Sequence, residues 1–190
     1  MEVKRLVTAQ DANGKPVFAS VGAAPRAHWY RHTPGAGVAI VWATPPDATV
    51  PNSGRDITQT LDSIVPPIGA ASLLFVQFPP DTVAAGPDFD SVAATEEFVR
   101  LNPGIAELMD PDSPGMHATD TIDFAIVLEG EIWATLDGGS EELMRQHDVI
   151  IQNGTRHTWQ NKSLQPAKLA CVSIGVRRTH SPESGSGESR

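Results

Sequence analysis

From position 115 to position 176 the chain repeats one pattern: a short run of strand-forming residues, then a turn. The turns are Glu129-Gly130, Asp137-Gly138-Gly139-Ser140 and Asn153-Gly154, with a corner at His147-Asp148. They delimit expected strands over 123–128, 131–136, 142–145, 149–152, 157–160 and 169–176. Gly, Asn and Asp suit such turns because they tolerate positive φ. Many short strands at near-regular spacing point to an all-β fold, an antiparallel β-barrel or sandwich. Closing the sheet removes its exposed edges. Sixteen glycines and sixteen prolines among 190 residues argue the same way, against a long helical bundle.

Upstream, 5–8 and 16–21 read as a hairpin about Asn13-Gly14, and 37–43 as a further strand stopped by Pro45-Pro46. Residues 44–70 read as a long loop, and 72–78 as an apolar strand whose face suits either the barrel core or a dimer interface. The helical pattern lies in 81–114. One helix is expected over 92–100, and Asn102-Pro103 reads as the start of a second short one through Met109. This stretch reads as a helical insertion in a single β domain spanning 1–176, and 177–190 as a disordered polar tail.

A formal net charge of −9 disfavours a nucleic-acid partner, which needs clustered Lys and Arg, and an anionic membrane surface. No stretch approaches the length of a membrane helix, and the first residues carry no signal-type apolar run. A soluble, cytoplasmic protein is the expectation. The one cysteine, Cys171, excludes a disulfide framework or a multi-cysteine metal site, and reads as a buried, inert thiol.

Two segments carry the chemistry. Gly115, His117, Asp123 and Gly130 form one series; Asp148, Gly154, His157 and Asn161 form another. Their order and spacing resemble the two motifs of the cupin superfamily, and look most like its small one-domain, cupin-2-like members. The resemblance covers 115–176 and implies a jelly roll, or double-stranded β-helix; the 81–114 insertion is expected to close part of its pocket. Three departures stand out: Thr119 replaces a second histidine, Asp123 replaces a glutamate, and His147 replaces a glycine at a corner where φ > 0 is expected.

The resemblance implies that His117, Asp123 and His157 face the barrel interior as catalytic groups and as ligands of one divalent metal ion. Two imidazoles and one carboxylate suit non-haem iron(II), and equally zinc, manganese or nickel. Thr119, Trp159 and Gln152 are candidate substrate-binding residues. By strand alternation His117 pairs with Thr119 and His157 with Trp159, whereas Asp120 and Thr121 cannot both join without a bulge, and Arg156 should point away. Trp42 and Trp133 read as packing. His28 and His32 read as an exposed loop, His147 as structural, and His180 as part of the tail. Glu96, Glu97 and Glu107 read as a solvated helix face.

With few cations near the motif, the expected ligand is a small organic acid or a phenolic, polyketide-like compound. The leading expectation is a metal-dependent oxidoreductase, dioxygenase-like, or a lyase, acting on a small-molecule substrate. Other readings are a metal-free binding or sensing protein, or a metal-independent isomerase using a His–Asp pair as acid and base. The resemblance also implies a homodimer.

Overall fold

The computed structural model describes residues 1–179. Eleven strands are described: β1 Lys4–Gln10, β2 Pro16–Ala23, β3 Arg26–Trp29, β4 Gly37–Thr44, β5 Ala71–Phe78, β6 Thr121–Glu129, β7 Glu131–Leu136, β8 Glu141–Arg145, β9 Val149–Asn153, β10 His157–Gln160 and β11 Ala167–Gly175. One α-helix, α1, spans Ser91–Leu101. A six-stranded sheet runs β3-β4-β5-β11-β6-β9, and a three-stranded sheet runs β10-β7-β8. All the named strand pairs are antiparallel. This is the jelly-roll, double-stranded β-helix arrangement.

The core between the two sheets is built by alternation. Ala125 and Val127 of β6, Ile132 and Ala134 of β7, and Ala167 and Leu169 of β11 form one buried cluster with Met144. On β6 and β7 their neighbours on the opposite faces stay partly or fully exposed, as period-two patterning requires. Central strand β4 instead reads as a continuous buried run. Ile40 packs with Ile64 and Leu74 on one side, while Ala39 and Val41 are covered by Met1 and Val3 on the other. A strand covered on both faces loses the alternating signature.

Turns fall where glycine was read. Gly130 has φ 72°, and a Cβ there would come within 2.5 Å of the Pro166 carbonyl oxygen, so the β6–β7 turn admits no side chain. His147 has φ 77°, matching the conformation expected of the glycine it replaces. Asp148 secures that corner, its carboxylate accepting from the Arg145 N–H at 2.7 Å.

The first hairpin, β1–β2, forms as read, and is a separate two-stranded sheet. Several expectations need correction. Arg26–Trp29 is a strand at the sheet edge; His28 therefore lies half-buried opposite Val38, not in an exposed loop. Asn102 does not start a second helix. Its N–H bonds the Phe98 carbonyl, so it ends α1, and the turn that follows is a short 3-10 helix, Ala106–Leu108. Asp90 caps α1 at the other end, accepting from the Ala93 N–H at 3.0 Å.

Glu97 is also corrected. It is 7% exposed, and its carboxylate accepts from the His32 N–H at 2.8 Å, tying α1 to the loop after β3. Arg178, read as tail, is fastened to Asp120, to the Thr119 carbonyl at 2.8 Å and to the Gly154 carbonyl at 3.2 Å. Residues 180–190, including His180, lie outside the described residues. Among the described residues, no helix is long and apolar enough to cross a membrane.

Candidate functional site

A cavity of about 750 Å³ opens between the two sheets and the 81–114 insertion. His117, Thr119, Asp123, Gln152, His157 and Trp159 all line it, so the structure brings together every site residue read from the sequence.

The two histidines are set by their backbones. His117 and His157 form an isolated antiparallel bridge, His117 N–H to His157 O at 3.0 Å and the reverse at 2.9 Å. Such a hydrogen-bonded pair puts both side chains on one face. The ring centroids are 4.5 Å apart. The Nδ1 of His117 bonds the Gly115 carbonyl, and the Nδ1 of His157 bonds the Thr155 carbonyl, each at 2.9 Å. A carbonyl only accepts, so each Nδ1 carries the proton in the neutral ring and each Nε2 keeps its lone pair. Burial lowers the pKa of both imidazoles; the nearby Asp123 carboxylate opposes that in each. A lowered pKa favours the neutral ring, the form that can donate a lone pair.

The carboxylate is served by threonines. The Thr119 and Thr121 hydroxyls are 2.6 Å apart, and Thr121 donates to Asp123 Oδ2 at 2.9 Å. With Thr121 donating to the carboxylate, Thr119 donates to Thr121, and the three form a relay along one face. Thr121 is 1% exposed and was missed. The signal was present: 117, 119, 121 and 123 are all odd, so simple alternation brings Thr121 in and leaves Asp120 out, without a bulge. The other carboxylate oxygen, Asp123 Oδ1, is buried with no hydrogen-bond partner among the described residues.

The rest of the wall is largely apolar. Trp159 meets His157 edge-on, with centroids 5.6 Å apart, and packs against Phe78. Cys171 lines the cavity, and burial pushes its thiol pKa up to about 12, so it stays protonated and is a poor nucleophile. From the insertion come Phe89, Ala94, Phe98, Ile105 and Met109. Among the described residues, no Lys or Arg lines the cavity. Arg156 points away as expected, and pairs with Asp110 and Asp137. Asn161 closes the second motif from below: 1% exposed, it donates to the Phe78 and Gln165 carbonyls at 3.1 and 2.8 Å. Trp42 and Trp133 lie elsewhere, beneath Arg5 and Lys162 respectively.

Two imidazole lone pairs and an orphaned carboxylate oxygen fit a divalent metal as a donor set. Their backbone carbonyl partners on Nδ1 are of the kind that orient metal-binding histidines. Among the described residues, however, no three His, Cys, Asp or Glu side chains are already gathered closely enough to hold an ion.

The fold and this pocket define a β-barrel protein with a polar, histidine-bearing wall inside an apolar chamber. No family model matches the chain. It is 27% identical over 162 residues to the oryzines biosynthesis cluster protein J of Aspergillus oryzae, covering 85% of this chain and 76% of that one. It is 44% identical over 63 residues to the cupin-domain-containing oxidoreductase srdD of Neurospora crassa, covering 33% of this chain and 29% of that one. That match therefore spans less than a third of its relative's length. Among solved structures, the cupin_2 domain of an XRE-family transcriptional regulator from Enterobacter cloacae is similar at 13% identity and TM-score 0.39, over 75% of this chain and 99% of that one. The jelly roll and both motifs agree with these matches, and the chain is similar over part of its length to cupin-domain proteins.

Proposed function

We propose that this chain is a cupin oxidoreductase acting on a small, largely apolar organic compound. The observation that carries the reading is the pair of neutral imidazoles aimed, beside an unpartnered carboxylate oxygen, into a chamber with no lining cation. Relatives that bear the oxidoreductase name, over part of their length, support the reaction class. The apolar lining favours a phenolic or polyketide-like compound over a sugar phosphate or another strong anion.

His117, His157 and Asp123 would hold one divalent metal, iron, zinc, manganese or nickel. Such an ion supplies Lewis acidity and, if iron or manganese, redox chemistry. The protein's own residues do the rest. The Gly115 and Thr155 carbonyls fix the imidazole tautomers. Thr121 and Thr119 hold the carboxylate in one orientation. Trp159 and the insertion exclude water and offer flat apolar surface to a ring.

The test is elemental analysis of protein produced with these metals available, with turnover of aromatic alcohols and aldehydes followed in parallel. A stoichiometric metal that disappears in His157→Ala, with the fold retained by circular dichroism, is the expected result. No bound metal at any loading overturns the metal assignment. A second reading, a metal-free binding protein, is favoured by one observation: the three donors are not gathered into a closed cluster. It predicts tight ligand binding with neither metal nor turnover.

A further inference from the structure

Gln152 lies on β9 directly opposite Asp123 of β6. It is 3% exposed and lines the cavity. Its Oε1 accepts a hydrogen bond from the Thr155 hydroxyl. Its Nε2, fully buried, has no partner among the described residues. Folded proteins leave few buried donors unpaired, because the N–H loses its water and gains nothing in return. Two such orphans, the Gln152 amide nitrogen and Asp123 Oδ1, occupy one register position on the wall of one chamber. The two orphans do not bond each other, and a cation, which would suit the carboxylate oxygen, has nothing to offer an amide N–H. It needs an acceptor from inside the cavity.

The acceptor's chemistry is narrowed by its surroundings. A charged oxygen is disfavoured next to the Asp123 carboxylate, with no Lys or Arg lining the chamber. The remainder of the ligand must match apolar walls, including Phe98, Met109 and Trp159. We propose that Gln152 is a ligand-binding residue that donates Nε2–H to a neutral carbonyl oxygen on an otherwise apolar ligand, and so selects ketones or aldehydes over their hydrocarbon counterparts. This rests on the pocket named above as the substrate site, but not on the metal.

The probe is prodan, a neutral naphthyl ketone whose emission moves to the red when its carbonyl accepts a hydrogen bond. Its counterpart has the carbonyl reduced to methylene. Both are titrated into the whole protein, first treated with chelator and then loaded with zinc. The expected result is a preference of about fivefold to tenfold for the ketone, the scale of one hydrogen bond. In Gln152→Leu that preference disappears, the bound emission moves to the blue, and affinity for the methylene compound is unchanged. Gln152→Met, of similar length and without the donor, gives the same readout if the leucine variant fails to fold. A ketone preference retained in the folded variant, an unchanged emission, or no preference in the unaltered protein overturns the proposal. Metal retained with no ketone preference sinks this proposal alone. Ketone preference without any metal sinks the metal assignment alone.

Discussion

The chamber has two unlike sides. The barrel side is made of strands whose alternation aims His117, Thr119, Thr121 and Asp123 inward from one stretch of chain, with His157 bridged to the first of them. Its geometry is set by ladder hydrogen bonds and by a buried core behind it. The insertion side is a single helix with short turns, and it contributes chiefly apolar surface. A few polar pins hold it: Asp110 to Arg156, Glu97 to the His32 N–H, Asn102 Nδ2 to the Tyr30 hydroxyl at 2.6 Å, and Asp81 to the Asn161 N–H at 3.0 Å. The contrast assigns separate duties. Groups that must keep fixed distances sit on the laddered wall, and the surface that meets the bulk of a ligand sits on the side held by a few side-chain bonds.

Substitutions should separate the two sides. Leu169→Ala, at a position with no exposure behind the barrel wall, should cost about 2–5 kcal/mol in urea unfolding, because the surrounding core relaxes only in part. An equally mild result from the insertion and the wall would break the comparison. Glu97→Leu should cost about 0.5–1.5 kcal/mol by removing the acceptor of the part-buried His32 N–H. Burial alone would raise the Glu97 carboxyl pKa, but the N–H groups of His32 and Arg31 outweigh it and hold the group below its ordinary value. Its contribution is therefore complete above the ordinary carboxyl pKa and lost as pH falls through the lowered one. Unfolding measured from neutral to acid pH should show that loss in the unaltered protein and a flatter profile in the variant.

Smaller effects sharpen the picture. Arg156→Met removes the partner that most strongly lowers the Asp110 pKa. It should speed amide exchange within 81–114 while leaving exchange in β6 and β11 unchanged; equal acceleration in both would mean the two sides open together. Val92→Ser, on the exposed face of α1 at 67% exposure, should shift stability by no more than about 0.5 kcal/mol, the usual size at a surface site.

Legibility followed the same division. The 115–176 block could be read because its signals are local: glycines at turns, a period of two, and polar groups at matching parity. Even Thr121 was there to be found by parity. Glu97 was not, since a carboxylate on a helix looks solvated until a distant loop brings the His32 N–H to it. β3 escaped notice because Arg26-Ala27-His28-Trp29 is short, polar and at a sheet edge, where packing asks little of the sequence. The β1–β2 hairpin was recognised as a hairpin but not as separate from the barrel, because its pairing with itself says nothing about what it packs against.

The Arg178 guanidinium reaches back from the exit of β11 to the Thr119 and Gly154 carbonyls, one on each of the two segments that deliver the histidines. It thus works as a clasp across the rim of the chamber. A fusion partner or affinity tag joined directly after Val176 would remove the clasp and let the bite between His117 and His157 widen, so the same extension placed beyond Arg178 is the safer way to build on this protein.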